Sequence, residues 1–151
     1  MSDINDLHDK AMEFSDEAFF AKRKGNLASA MKFNRQALKL ETQAAEMLKD
    51  KLNEEPSRSV LYRSAASMAI SCEEYRQAEK LIATALAGNP PEEIAEELRD
   101  LLEEVNLRKK SKSKSKQIEH AKLTFADETF EVSGFQIGEK IYLRELSKLE
   151  G

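Results

Sequence analysis

The first part of the chain alternates apolar and polar positions with the spacing of an amphipathic helix. From Ile4 to Ala21 an apolar residue recurs every three or four positions, which predicts one buried stripe on a helix from about Asp3 to Lys24. Gly25 and the asparagine after it tolerate a left-handed backbone, so a second helix is expected to return antiparallel.

Four more helices are predicted before residue 110. The second, about Leu27 to Leu52, carries two apolar seams and therefore needs two packing neighbours. A third, near Val60–Ile70, is rich in small residues that allow close helix approach. The run Ser71-Cys72-Glu73-Glu74 has the form of a capping box and predicts the start of the fourth. Asn89-Pro90-Pro91, followed by two acids, opens the fifth.

The pattern changes after the fifth helix. Ser111–Lys116 alternates serine with lysine and predicts a mobile linker, and three short β-prone runs follow it. We therefore predict a helical domain over 1–108, a basic linker over 109–119 and a small β-rich segment over 120–151. The expected fold class is mainly α, with antiparallel helical hairpins. Unpaired strand edges recruit other strands, so self-association is expected at Phe130, Val132, Ile141, Tyr142 and Leu143.

Two stretches of the helical part match with a shift of 48 residues. The first stretch aligns with the second in residue type and spacing: Phe14, Ala18, Ala21, Leu27, Ala30, Ala37, Leu38 with Tyr62, Ala66, Ala69, Tyr75, Ala78, Ala85, Leu86. This pattern resembles the tetratricopeptide repeat over roughly Met12 to Pro91, with the fifth helix as a cap. An insertion in the first copy is expected to add turns to the second helix, and Glu73 stands where a glycine is usual.

The resemblance implies a concave groove, lined by the first helix of each unit, that holds a peptide or a partner helix. Outward positions of those helices include Phe19, Lys22, Arg63 and Ser67, and an aromatic anchor beside two cations would suit a peptide with an apolar side chain and a carboxylate. Ordinary packing is the competing interpretation of Phe19. A plain bundle, similar to the three-helix microtubule-interacting-and-trafficking module, is the alternative architecture.

Composition narrows the functional classes. A chain of 151 residues with a net charge of -4 can form one core or a small domain with an appendage, and it is too acidic for a surface built throughout to bind nucleic acid or anionic lipid. The single cysteine, Cys72, allows no internal disulfide and predicts a reduced, cytoplasmic protein. Neither a secretory leader nor a membrane span is predicted.

Little in the sequence points to catalysis, and no catalytic residue, metal ligand or cofactor is predicted. His8 and His120 are expected to be satisfied or solvated, and Cys72 to be a small apolar residue near a helix end. No phosphate-binding loop, dinucleotide fingerprint, nucleophile elbow or zinc-protease motif occurs. The acidic face of the fifth helix is expected to be solvated.

The sequence therefore predicts a non-enzymatic adaptor that binds a protein or peptide through its helices. Its β segment is expected to mediate self-association, as a homodimer, or a second contact. The alternative is a nucleic-acid-associated regulator in which Lys112, Lys114 and Lys116 contact phosphates. Lysines without interleaved aromatics act as point charges, so this binding would be weak and salt-sensitive.

Overall fold

The computed structural model describes residues 3–125, 127–137 and 140–149, with the backbone alone for 113–121, 123, 125, 135–137, 140–142, 144–146 and 149. In this part of the chain helices precede strands: α1 (Ile4–Arg23), α2 (Leu27–Glu46), α3 (Ser57–Ser71), α4 (Tyr75–Leu86), α5 (Glu92–Lys114), β1 (Ser115–Phe125), β2 (Glu128–Ile137) and β3 (Lys140–Leu149). The predicted fold class, mainly helical with a small sheet near the C-terminus, is confirmed. The chain divides into two compact units, Met1–Val105 and Asn106–Gly151.

The hairpins α1–α2 and α3–α4 close through the same kind of turn. Gly25 has a φ of 80° and Glu73, at the equivalent position, a φ of 57°, so both backbones are left-handed. The amide after Gly25 donates to the Ala21 carbonyl at 2.9 Å, and the amide after Glu73 donates to the Ala69 carbonyl at 2.8 Å. The 48-residue sequence offset therefore relates the two turns in three dimensions as well.

Small side chains form the centre of the helical core. Ala65, Ala66 and Ala69 of α3 and Ala78 and Ala85 of α4 are fully buried, because alanines allow two helices to approach closely. Larger apolar side chains from the rest of the first unit surround them: Leu38, Leu48, Leu61, Leu81, Ile82, Ile94, Leu98 and Val105. The expected small-residue packing of the third and fourth helices is thus present.

The second helix ends earlier than predicted. α2 stops at Glu46, and residues 47–56 form successive turns instead of added helix; for example, the Lys51 amide donates to the Leu48 carbonyl at 3.0 Å. Leu48 is buried, whereas Leu52 is 53% exposed. The apolar spacing continues past the helix end because Leu48 is still buried within a turn, so spacing alone places this boundary incorrectly.

Arg58 joins this connection to the end of α4. Its side chain is 2% exposed, its Nε donates to the Lys49 carbonyl at 3.0 Å, and its Nη2 donates to the Thr84 carbonyl at 3.0 Å. Nη1 donates more weakly to the Ala85 carbonyl, at 3.4 Å. Carbonyls in the last turn of a helix lack intrahelical partners and carry the negative end of its dipole, so a cation is favourable there.

The predicted capping box does not form. Ser71 is the last residue of α3, and its Oγ donates to the Ser67 carbonyl at 3.3 Å instead of capping the next helix. The left-handed Glu73 ends the turn, and α4 begins at Tyr75 without a side-chain cap. The serine is held in the helix that precedes the turn, which is why the motif misplaces the start of α4.

The second unit contains a three-stranded antiparallel sheet in the order β1-β2-β3. β1 and β2 pair from Phe125↔Glu128 back to Ser115↔Ile137, with an irregularity between Ile118 and Ala121. β2 also pairs with β3 along its length. The strands therefore pair within one chain, and β2 is the middle strand.

The predicted linker has regular secondary structure. Residues 109–114 continue α5, and residues 115–119 belong to β1. Lysine has a high helix propensity, and its charge is favourable at the C-terminal end of a helix dipole, which accounts for the extension of α5. The mobile linker predicted from the serine-lysine alternation is therefore wrong.

Candidate functional site

A groove of about 610 Å³ is formed by α1, α2, α3 and α5 of the helical unit. Three apolar side chains contribute to it, Met12, Met68 and Leu101, and polar side chains such as Asn34 and Ser67 lie among them. Binding sites combine apolar area, which supplies affinity, with a few polar groups, which fix the orientation of the ligand. The groove has this mixed character.

Two of the four predicted partner-binding residues line the groove. Arg63 and Ser67 both come from α3, but the guanidinium of Arg63 already donates to the carboxylate of Glu97 on α5. A ligand carboxylate would have to compete with Glu97 for this cation. This contact was not predicted from the sequence, because Glu97 belongs to the acidic face of the fifth helix, which was expected to be solvated.

Phe19 and Lys22 do not line the groove. Phe19 is 58% exposed, its ring meets that of Phe20 edge-on with centroids 5.8 Å apart, and the guanidinium of Arg23 lies 5.9 Å from its centroid. Lys22 is also exposed. The structure therefore does not assemble the expected site of one aromatic ring and two cations, because the rings and Lys22 lie outside the groove.

A polar stripe on α3 is the signal that could have located the groove from sequence. Ser64, Ser67 and Ser71 all line it, and they recur at helical spacing along α3. Met12 and Asp100, from the helices on either side, carried no comparable signal. Their contribution depends on the packing of α1 and α5 around α3.

His8 is paired with a buried carboxylate. Its Nδ1 lies 3.0 Å and 3.1 Å from the two carboxylate oxygens of Glu41, which is fully buried on α2. The expectation of a satisfied histidine agrees with this contact. The burial of Glu41 was not predicted, because a glutamate between two apolar seams gives no sign of facing a partner. The side chain of His120 lies outside the described part.

Burial raises the pKa of the Cys72 thiol, more than the nearby charge of Arg35 lowers it. Cys72 is 5% exposed at the C-cap of α3, so it packs as a small apolar side chain, as expected. Burial also raises the pKa of Tyr62, whose hydroxyl lies in the interior without a hydrogen-bond partner in the described structure.

The predicted self-association residues lie on two strands with different surroundings. Phe130 is half-buried and Val132 is buried on β2, which is paired on both sides and offers no free edge. Leu143 on β3 is 50% exposed. The side chains of Ile141 and Tyr142 lie outside the described residues, although their backbone belongs to β3. β2 therefore offers no free edge at Phe130 and Val132, whereas β3, which contains Ile141, Tyr142 and Leu143, is an edge strand.

The predicted phosphate contacts are described only in part. Lys112 is exposed near the end of α5, while the side chains of Lys114 and Lys116 lie outside the described residues. Over the part that the structure covers, no group of three or more His, Cys, Asp or Glu side chains is arranged to hold a metal ion. In the same part, no helix combines the length and the apolar character that crossing a bilayer requires.

Comparison with protein-family models, curated proteins and solved structures finds no match for this chain.

Proposed function

We propose that the protein is a non-enzymatic adaptor whose helical unit binds a peptide or a partner helix in the groove formed by α1, α2, α3 and α5. The groove itself is the observation that carries this proposal. Its volume of about 610 Å³ accommodates several side chains of a ligand, and Met12 and Met68 contribute unbranched, adaptable apolar surface. The serines of α3 supply hydroxyls that can hydrogen-bond a ligand backbone.

The repeated hairpin supports this proposal. α1–α2 and α3–α4 close through equivalent turns, at Gly25 and Glu73. Stacked helical hairpins bury the faces between neighbours and present equivalent helices side by side along a binding surface. The tetratricopeptide resemblance is therefore part of the proposal, as is the cytoplasmic location inferred from the single cysteine.

A second contact, and homodimerisation, are assigned in this proposal to the edge strand β3. A strand at the edge of a sheet carries unpaired backbone groups along one side, which can pair with a strand of another chain. Leu143 is 50% exposed on β3 and offers apolar surface beside that edge. The dimer contact is thus independent of the groove.

The groove is tested with Ser67→Trp, which places a large side chain in it. Lys80→Trp is the matched control, because Lys80 is exposed on α4 and does not line the groove. A library of random peptides is selected on immobilised full-length protein. Wild type and Lys80→Trp are expected to retain the same peptides and Ser67→Trp to lose them, with equal helix content by circular dichroism. Retention by all three proteins would show that the groove is not the site.

The dimer contact is tested by light scattering of the full chain. Leu143→Lys places a charge at the edge strand and is expected to halve the measured mass. Leu27→Lys makes the same substitution at a leucine that is 67% exposed in the helical unit, and should leave the mass unchanged. A monomer mass for wild type, or no effect of Leu143→Lys, would remove β3 from the proposal.

The nucleic-acid alternative is tested by binding at physiological salt. Exposure of Lys112 does not by itself favour nucleic acid over solvent. Retention of DNA or RNA at physiological salt, lost when Lys112, Lys114 and Lys116 are all changed to Gln, would favour that function over the adaptor.

A further inference from the structure

We infer that the groove selects a positively charged peptide, one that presents an apolar side chain flanked by lysine or arginine. This inference rests on the proposed function and names the chemical class of its ligand. The charge of this ligand is opposite to that of the carboxylate-bearing peptide predicted from the sequence.

Three charged side chains line the groove in the described part of the chain: Arg63, Glu97 and Asp100. Arg63 is the only basic side chain that lines the groove in the part of the chain described, and its guanidinium is engaged by Glu97. The pair cancels in charge. Asp100, one turn further along α5, also lines the groove and forms no ion pair with a described residue. The lining therefore has a net negative charge.

Further carboxylates lie beside the groove on α1. Residues three or four apart on a helix share a face. On α1, Asp9 and Asp16 lie one turn before and one turn after the groove-lining Met12, and both are exposed. Neither these two aspartates nor the exposed cations Lys22 and Arg35 are part of the lining, so the charge of the lining itself comes from Asp100. Carboxylates thus accompany the groove on α1 as well as on α5.

The groove combines negative charge with apolar surface. Met12, Met68 and Leu101 can receive one or two apolar side chains, while Asp100 attracts a cation placed beside them. A ligand carboxylate or phosphate would be repelled by Asp100 and would have to displace Glu97 to reach Arg63. The charge pattern therefore favours a basic peptide over an acidic peptide or a nucleic acid.

The inference is tested with three labelled peptides of 12 residues, a length chosen to be roughly comparable with that of the helices that form the groove. All share a central leucine and differ only in flanking residues, which are lysine, glutamine or glutamate. Binding to the full-length protein is measured by fluorescence anisotropy. The lysine peptide is expected to bind about tenfold tighter than the glutamate peptide near 0.15 M salt, and most of this difference should disappear near 1 M salt, where exposed charges are screened.

Two charge reversals localise the effect. Asp100→Lys should weaken the lysine peptide by about tenfold, since it replaces attraction with repulsion inside the groove. Glu103→Lys changes the net charge equally on the same helix, at an exposed position that does not line the groove, and should change affinity by less than about twofold.

The outcomes separate this inference from the proposed function. Tightest binding by the glutamate peptide, or equal effects of Asp100→Lys and Glu103→Lys, would overturn the charge preference. If Ser67→Trp still abolished binding, the groove would remain the site. Absence of binding by all three peptides would also overturn the preference, and the peptide library would then decide the proposed function separately.

Discussion

Replacing Arg58 with methionine is expected to be among the most damaging single changes to the helical unit. The side chain is 2% exposed and donates to the Lys49 and Thr84 carbonyls at 3.0 Å and to Ala85 at 3.4 Å. It also lies 3.7 Å from the Glu55 carboxylate. Methionine keeps most of the packing volume but removes every donor and leaves that carboxylate without its cation.

The magnitude follows from these contacts. Hydrogen bonds that involve a charged group contribute about 1.5–3 kcal/mol each, and breaking a buried charge pair costs about 3–5 kcal/mol. The contacts share one guanidinium and are not additive, so we expect Arg58→Met to lower the free energy of unfolding by about 3–5 kcal/mol. Arg58→Lys keeps the charge but loses the planar fork, and should lose about 2 kcal/mol.

The assay is urea unfolding followed by circular dichroism, with equal slopes for all variants. Arg63→Met is the matched control, because Arg63 is only half-buried and its pair with Glu97 is partly exposed, so its loss should cost less than about 1 kcal/mol. Equal destabilisation by Arg58→Met and Arg63→Met would refute the view that Arg58 joins the 47–56 connection to α4.

Three further predictions follow from the helical unit. Substitutions at the two turns should change the free energy of unfolding in opposite directions, as measured by urea unfolding. Gly25→Ala should lower it by about 1 kcal/mol, because an added Cβ meets no atom and only the φ of 80° opposes it. Glu73→Gly should raise it by about 0.5 kcal/mol, because glycine adopts the left-handed backbone without strain. His8→Ala should lower the free energy of unfolding by about 2 kcal/mol, because it leaves the Glu41 carboxylate buried without its partner. Adding Glu41→Gln to this variant should recover part of the loss. Equal stabilities of the single and double variants would contradict this prediction. Since burial raises the pKa of Cys72, its thiol should react slowly with a disulfide reagent until urea unfolds the protein. The contribution of this thiol to stability is complete at pH values below its unfolded-state pKa. It should fall as the pH rises above that value.

Local patterns predicted the helices well because they reflect one-sided burial. The apolar stripe of α1 and the glycine after it were sufficient to place Ile4–Arg23 within a residue of the structure. The 48-residue match places Glu73 at the position equivalent to Gly25, and both backbones are left-handed in the structure, although the sequence did not predict this for Glu73. These features depend on neighbours within a few positions in the chain.

Features that depend on distant contacts were not predicted. α2 ends at Glu46 in the structure, yet its apolar spacing continues into a connection that Arg58 holds against α4. Glu41 is buried because α1 brings His8 to it, 33 residues away in sequence. The groove required the same kind of information, since Glu97 engages Arg63 across two helices that no local pattern relates.

The order of the strands has a consequence for how the chain acquires its structure. β1 pairs with β2 and β2 with β3, so every pairing in this sheet joins consecutive segments, as do the two helical hairpins. Such a topology has low contact order, and low contact order is associated with fast folding because little loop entropy is lost before contacts form. Each hairpin can close as soon as its second element leaves the ribosome, without waiting for the rest of the chain.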